Sequence, residues 1–167
     1  LLTDVAKRLE KAGADFIIIC TNTMHKVAPQ IQEELKVPIL HIAQATAEVL
    51  LENKIQSVGL LGTKYTMTQD FYKEKLIASG LSVSIPEQSD IDEINRIIYE
   101  ELCLGDIKSQ SKETFLEIIA KLKEKGVQAV ILGCTEIGLL VNQTDTTLPL
   151  FDTTRIHAES AALLSLQ

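Results

Sequence analysis

The stretch AKLKEKGVQAVILGCTE (residues 120–136) runs from a lysine-rich amphipathic segment, through Gly126, into the apolar run Val130-Ile131-Leu132-Gly133. It ends on Cys134-Thr135-Glu136. A second stretch, AKRLEKAGADFIIICTN (residues 6–22), lies over it without a gap at an offset of 134 − 20 = 114 residues. Ala6, Lys7, Glu10, Lys11, Ile17, Cys20 and Thr21 are matched by Ala120, Lys121, Glu124, Lys125, Ile131, Cys134 and Thr135. Such a match is the signature of an internal repeat. It predicts that the two cysteines occupy equivalent places at the ends of two equivalent strands. Each apolar run is short and β-branched, which favours a buried parallel strand over a helix.

Outward from these stretches the pattern holds. Helical spacing of Leu2, Val5, Ala6 and Leu9 predicts a helix over 2–12. Thr21-Asn22-Thr23 supplies capping chemistry for a helix over 24–35. Strands are predicted at 38–41, 57–61, 82–85 and 149–152. Helices are predicted up to Asn53, over 67–79, from a Ser89 cap to Gly105, over 109–125, and over 156–166. Strands alternate with helices throughout, the pattern of a parallel α/β sheet. Val37-Pro38-Ile39-Leu40-His41 resembles Leu148-Pro149-Leu150-Phe151-Asp152, so the repeat continues past the cysteines.

The reading is therefore a parallel-sheet α/β fold of two related halves, expected as two lobes. Residues 1–55 plus 148–167 form the first lobe, and 56–147 the second. The second half has an earlier strand ending in Gly62-Thr63, and the first half has no counterpart to it. By this symmetry the first lobe lacks its N-terminal strand, and roughly 50–60 residues of a parent protein are expected to precede Leu1.

The 167 residues are 46% apolar and 23% charged, ordinary for a globular protein, with 4% aromatics and no Trp. The net charge of −7 argues against nucleic-acid binding. No apolar stretch reaches the roughly 18–20 residues that span a bilayer. Cys20, Cys103 and Cys134 are the only cysteines. A sparse, odd count points to free thiols in a reducing, cytoplasmic compartment.

In α/β sheets ligands bind at the carboxyl ends of strands. Cys20, Thr63, Cys134 and Asp152 are predicted there. The helix N-termini that follow offer N–H groups for a carboxylate, and lower a thiol pKa. Two thiols facing one cavity suit proton removal from one face of a carbon and return on the other. No pyridoxal phosphate signature or metal-ligand spacing is evident, so the chemistry is expected to need no cofactor and no metal. Cys103 reads as a packing residue. His25 is placed to touch substrate or tune Cys20, Lys108 to reach a substrate carboxylate, and Asp152 to cap the last helix. His41 and His157 read as structural.

The runs CTNTMHKVA (20–28), LLGTKYTMTQDFY (60–72), IIYEELCLG (97–105), GCTEIGLLV (133–141) and LFDTTRIHAE (150–159) resemble the aspartate/glutamate racemase family. The resemblance implies two pseudo-symmetric parallel-sheet α/β lobes with the active site in the cleft between them, and pyridoxal-independent racemisation of an acidic amino acid by a homodimer. It implies that Cys20 and Cys134 are the acid/base thiols. Asn22, Thr23, Thr63 and Thr135 match its positions near the substrate carboxylates; Thr21 and Glu136, beside the two cysteines, complete the expected substrate-binding set, Glu136 standing where related glutamate racemases tend to place His. The family's glycine-rich N-terminal turn, and the substrate-binding arginine that part often supplies, have no counterpart here. Hydantoin racemase and maleate isomerase chemistry share the architecture. A non-catalytic fragment is the reading that involves no enzyme.

Overall fold

The computed structural model describes residues 1–166. The chain runs α1 (Leu2–Lys11), β1 (Ile17–Ile18), a 3₁₀ turn (Thr23–Val27), α2 (Ala28–Gln32), β2 (Ile39–Leu40) and α3 (Ile42–Glu52). Next come β3 (Ser57–Gly62), α4 (Lys64–Thr68), α5 (Asp70–Ala78), β4 (Ser82–Ser84) and α6 (Gln88–Glu100). After a 3₁₀ turn (Leu102–Leu104) follow α7 (Ser109–Glu124), β5 (Ala129–Gly133), α8 (Ile137–Leu140), β6 (Leu150–Asp152) and α9 (Thr153–Leu164).

The fold is α/β with every strand pair parallel. Four strands form one sheet in the order β4-β3-β5-β6, and β1 pairs with β2 in a separate two-stranded sheet. The larger sheet is apolar on both faces because β3 and β5 alternate strictly. Leu61, Val130 and Leu132 pack under α6, α7 and α8. Val58, Leu60, Ala129 and Ile131 pack under α3 and α5. Successive side chains on a strand point to opposite faces, and helices on both faces bury each set.

After β3 the chain turns outward to β4. After β5 it turns the opposite way, to β6. The strand order thus reverses between β3 and β5, and the crevice at that reversal is where such sheets bind ligands. Gly62 and Gly133 face each other there. A Cβ on Gly62 would lie 2.9 Å from the Gly133 carbonyl oxygen, and one on Gly133 2.7 Å from that of Leu61. Only glycine lets the strand ends approach this closely.

Several sequence expectations change. The helix expected over 24–35 is a 3₁₀ turn (Thr23–Val27) followed by the short α2, and neither has a side-chain cap bond. Residues 148–167 were assigned to the first lobe, but β6 hydrogen-bonds β5 in the four-stranded sheet. Within that segment it is α9 that packs across onto α3. The Cys134 strand takes the following Pro-containing strand as its neighbour, as β1 takes β2. The helix expected to start from a Ser89 cap starts at Gln88, with Glu87 as its N-cap residue. The helix expected over 67–79 breaks into α4 and α5, with Thr63 as the cap that accepts from the Thr66 N–H.

The matched strand pairs are not in the same register. The Ile17 N–H bonds the Pro38 carbonyl, and the Val130 N–H bonds the Pro149 carbonyl. Ile17 lies three residues before Cys20 and Val130 four before Cys134. The ungapped match therefore carries a one-residue slip. β5 has β3 on its other side, whereas β1 has no second neighbour among the described residues. Beside that open edge Leu2, Val5, Leu9 and Ile18 are exposed.

Candidate functional site

Both cysteine turns open into one cleft of ≈ 370 Å³ at the carboxyl ends of the strands. The turn after β1 contributes Cys20, Thr21, Asn22, Thr23 and Met24. The end of β3 contributes Thr63, and the end of β5 contributes Gly133, Cys134, Thr135 and Glu136. All eight site residues singled out from the sequence line this cleft. Ile98, Tyr99 and Cys103, from α6 and the 3₁₀ turn after it, close one side.

Cys103 is not a packing residue. It is exposed, and it lines the cleft. α6 ends at Glu100, and in the tight turn that follows Leu102 takes the core position. The neighbouring thiol is thereby directed outward. Partial desolvation at the cleft wall raises the Cys103 pKa, and the Glu136 charge adds to the rise.

The two matched thiols differ. Cys20 is exposed and Cys134 is buried. The Cys134 Sγ donates to Glu136 Oε2 at 2.9 Å. Burial, then the bond to Glu136 and its charge, push the Cys134 thiol up to about 12. This reverses the expectation of a thiol acidified by a helix N-terminus. The helix after Cys134 is only four residues long, and an anion stands two residues away. Burial on its own would raise the Glu136 carboxyl, but the bonds from Cys134 and Thr135 hold it below the ordinary carboxylate range. The pair is therefore a thiol beside a carboxylate.

Three threonine hydroxyls tie the first turn to β3. Thr23 Oγ1 lies 3.3 Å from Thr63 Oγ1 and 3.4 Å from Thr66 Oγ1, and the last two are 3.1 Å apart. Beneath the same turn lies a cluster of three histidines. The His25 ring stands 4.5 Å from that of His41 and 5.7 Å from that of His157. His25 Nδ1–H donates to the Thr21 carbonyl at 2.7 Å, and Nε2 accepts from the Ile42 N–H at 3.1 Å. Both nitrogens are committed to a neutral ring. Burial lowers the His25 pKa to about 4. His25 thus braces the Cys20 turn from below and is not among the residues lining the cleft. His157 Nε2–H donates to the Leu40 carbonyl at 2.8 Å.

Lys108 and Asp152 lie outside the cleft. Lys108 pairs with Asp106 at 3.1 Å, and Asp152 caps α9 through the Thr154 N–H at 2.8 Å. Arg96 is held by Glu93 and Glu101, and Arg155 by Glu159. Among the described residues Glu136 is the one charged side chain in the cleft lining. No group of three or more His, Cys, Asp or Glu side chains among them is arranged to hold a metal ion. No helix among them is long and apolar enough to cross a membrane.

Residues 1–161 match the model of the Asp/Glu/hydantoin racemase family. The chain belongs to that family. Its fold superposes on a Yersinia pestis crystal structure ascribed to an Asp/Glu racemase, with a TM-score of 0.95 and 50% identity. An aspartate racemase homologue from Pyrococcus horikoshii OT3 follows at 0.90 and 41%. In both cases 99% of this chain covers 73% of the other. The broad specificity amino-acid racemase RacX of Bacillus subtilis (strain 168) is 26% identical over 161 residues, which are 95% of this chain and 68% of RacX. The glutamate racemase of Hydrogenobaculum sp. (strain Y04AAS1) is 29% identical over 153 residues, and only 54% of its length is spanned. Cys103 in the lining, and Thr66 and Thr153 behind it, were not singled out from the sequence as parts of the site, whereas His25 was placed there to touch substrate or tune Cys20 and instead lies beneath the turn. Of these, His25 alone carried a signal, its nearness to the cysteine turn.

Proposed function

We propose that this chain carries the two-thiol centre of a cofactor-independent amino-acid racemase acting on aspartate or glutamate. The observation that supports it is the convergence of both cysteine turns on one cleft at the strand reversal. One thiol, as thiolate, removes the α-proton, and the other delivers a proton to the opposite face. Cys134, held protonated beside Glu136, suits the donor, and the exposed Cys20 suits the base. For the opposite enantiomer the roles exchange: Cys134, left as the thiolate once it has given up its proton, is the base and Cys20 the donor. The Thr21, Asn22, Thr23, Thr63 and Thr135 turns offer hydroxyl, amide and N–H donors to the substrate carboxylates, where charge develops as the proton leaves. In this reading the protein is a cytoplasmic homodimer.

The test uses the full-length gene product that contains this chain. L-Aspartate and L-glutamate are incubated in heavy water while optical rotation and α-deuteration are followed. Decay of rotation with deuterium entering the α-carbon is expected, and Cys20→Ser and Cys134→Ser are expected to abolish both. Variants that keep both processes refute the two-thiol mechanism. Protein that neither racemises nor binds these substrates supports the non-catalytic reading.

A second reading keeps the chemistry and changes the substrate. The charged side chain lining the cleft is an acid, which repels a second substrate carboxylate and favours neutral or basic side chains. The broad specificity of RacX belongs to that protein, and lends the reading a precedent. A panel of aspartate, glutamate, lysine and neutral amino acids, with a hydantoin and maleate included, separates the possibilities by kcat/KM.

A further inference from the structure

Thr153 opens α9 and is fully buried. Its hydroxyl donates to the Leu132 carbonyl at 2.9 Å and lies 3.0 Å from Asn22 Nδ2, whose N–H it accepts. Asn22 stands two residues after Cys20, and Leu132 two residues before Cys134. A single hydroxyl therefore joins the two cysteine segments from behind the cleft. Its placement is firm, because the Asp152 carboxylate accepts from the Thr154 and Arg155 N–H groups and fixes the first turn of α9.

The bond also decides how Asn22 is turned. A hydroxyl has one proton to give. Thr153 gives it to the Leu132 carbonyl, so toward Asn22 it can only accept. That draws the amide nitrogen of Asn22 to Thr153 and leaves Oδ1 on the other side. Asn22 is only 3% exposed, and its Oδ1 meets no donor. A buried acceptor without a partner is costly, and the orientation persists only because Thr153 imposes it. Neither residue holds the other by local sequence, since they are 131 positions apart.

We propose that Thr153 is a positioning residue of this site: its hydroxyl sets the separation of the Cys20 turn from the Cys134 strand and the orientation of the Asn22 amide. The proposal rests on the two-thiol reading above. The other hydroxyl link, Thr23 to Thr63 and Thr66, ties the first turn to β3 and does not reach β5. Thr153 is thus the side chain through which a shift at one thiol is felt at the other.

The experiment is made on the full-length gene product that contains this chain. Thr153→Val keeps the shape and removes both bonds, and Thr153→Ser keeps the hydroxyl. Thr46→Val is the comparator. Thr46 is equally buried, donates to the Ile42 carbonyl at 2.7 Å, and lies outside the cleft. T153V is expected to lower kcat about 10- to 100-fold, the effect of a small misplacement of reacting groups. T153S is expected to restore wild-type turnover. T46V is expected to lower the thermal midpoint and leave kcat alone. A folded T153V with wild-type kcat, a T153S that fails to rescue, or a T46V that loses kcat as heavily each overturns the proposal. If T153V does not fold, Thr153→Ala, which also removes both bonds, replaces it with the same outcomes. Cys20→Ser and Cys134→Ser are measured alongside. If they still racemise, the two-thiol reading fails. If they are inactive while T153V is unimpaired, the role of Thr153 fails alone.

Discussion

Glu136→Gln isolates the interaction that makes the two thiols unequal. The Cys134 Sγ donates to Glu136 Oε2 at 2.9 Å, and the thiol stands at about 12. Burial is the first cause of that rise and is untouched by the substitution. What is lost is the bond to an anion and the charge itself. A hydrogen bond to a charged group is worth about 1.5–3 kcal/mol, and one pKa unit corresponds to about 1.4 kcal/mol. Replacing the anion by a neutral amide therefore lowers the Cys134 pKa by roughly 1–2 units, to about 10–11. The pKa does not return to the ordinary thiol value, because the side chain remains only 9% exposed. The measurement is made with Cys20→Ser and Cys103→Ser in place, so that Cys134 is the remaining thiol. Ultraviolet thiolate absorbance and the pH dependence of iodoacetamide alkylation both report the titration. An unchanged or higher pKa in the Gln variant refutes the assignment of Glu136 as the acceptor. In the wild-type background, turnover is also expected to slow. The two enantiomers have equal free energies, so kcat/KM must fall by the same factor in both directions.

Two further outcomes follow from the same geometry. His25 binds a proton near pH 4 in the folded state and near 6.5 in the unfolded chain. The unfolded state then holds more protons between those values, so stability is full above pH 6.5 and falls as pH drops toward 4, by about 3 kcal/mol. His41 and His157 are lowered as well and add to the same slope. Urea unfolding at pH 7 and pH 5 reads this loss. A flat profile, or one that His25→Gln leaves as steep, counts against the buried neutral ring. At the strand reversal, Gly133→Ala places a Cβ 2.7 Å from the Leu61 carbonyl oxygen and 3.1 Å from Leu60 Cδ1. The ends of β3 and β5 must then part, at a cost of about 1–3 kcal/mol. Chemical denaturation measures the loss, and a variant as stable as wild type contradicts the tight approach.

The sequence by itself determined what local pattern can encode. Short β-branched runs separated by amphipathic segments are enough to specify parallel strands and the helices that cover them, so the α/β class was legible from Val58, Leu60, Val130 and Leu132. The repeat made the two cysteines visible as a pair, and the turns around Asn22, Thr63 and Thr135 followed from their places at strand ends. Tertiary structure decided whatever depends on residues distant in sequence. Strand pairing placed β6 beside β5 and introduced the one-residue slip between the matched halves. Packing buried Cys134 against Glu136 while leaving Cys20 exposed, so residues equal in the repeat became unequal in surroundings. The 3₁₀ turn after α6 directed Cys103 into the cleft, where the sequence, showing no partner for it in the repeat, gave it only a packing role. The Thr153 bridge is the clearest case. Its two partners lie on separate segments, and a hydroxyl leaves no periodicity in the sequence to mark which atoms it will join.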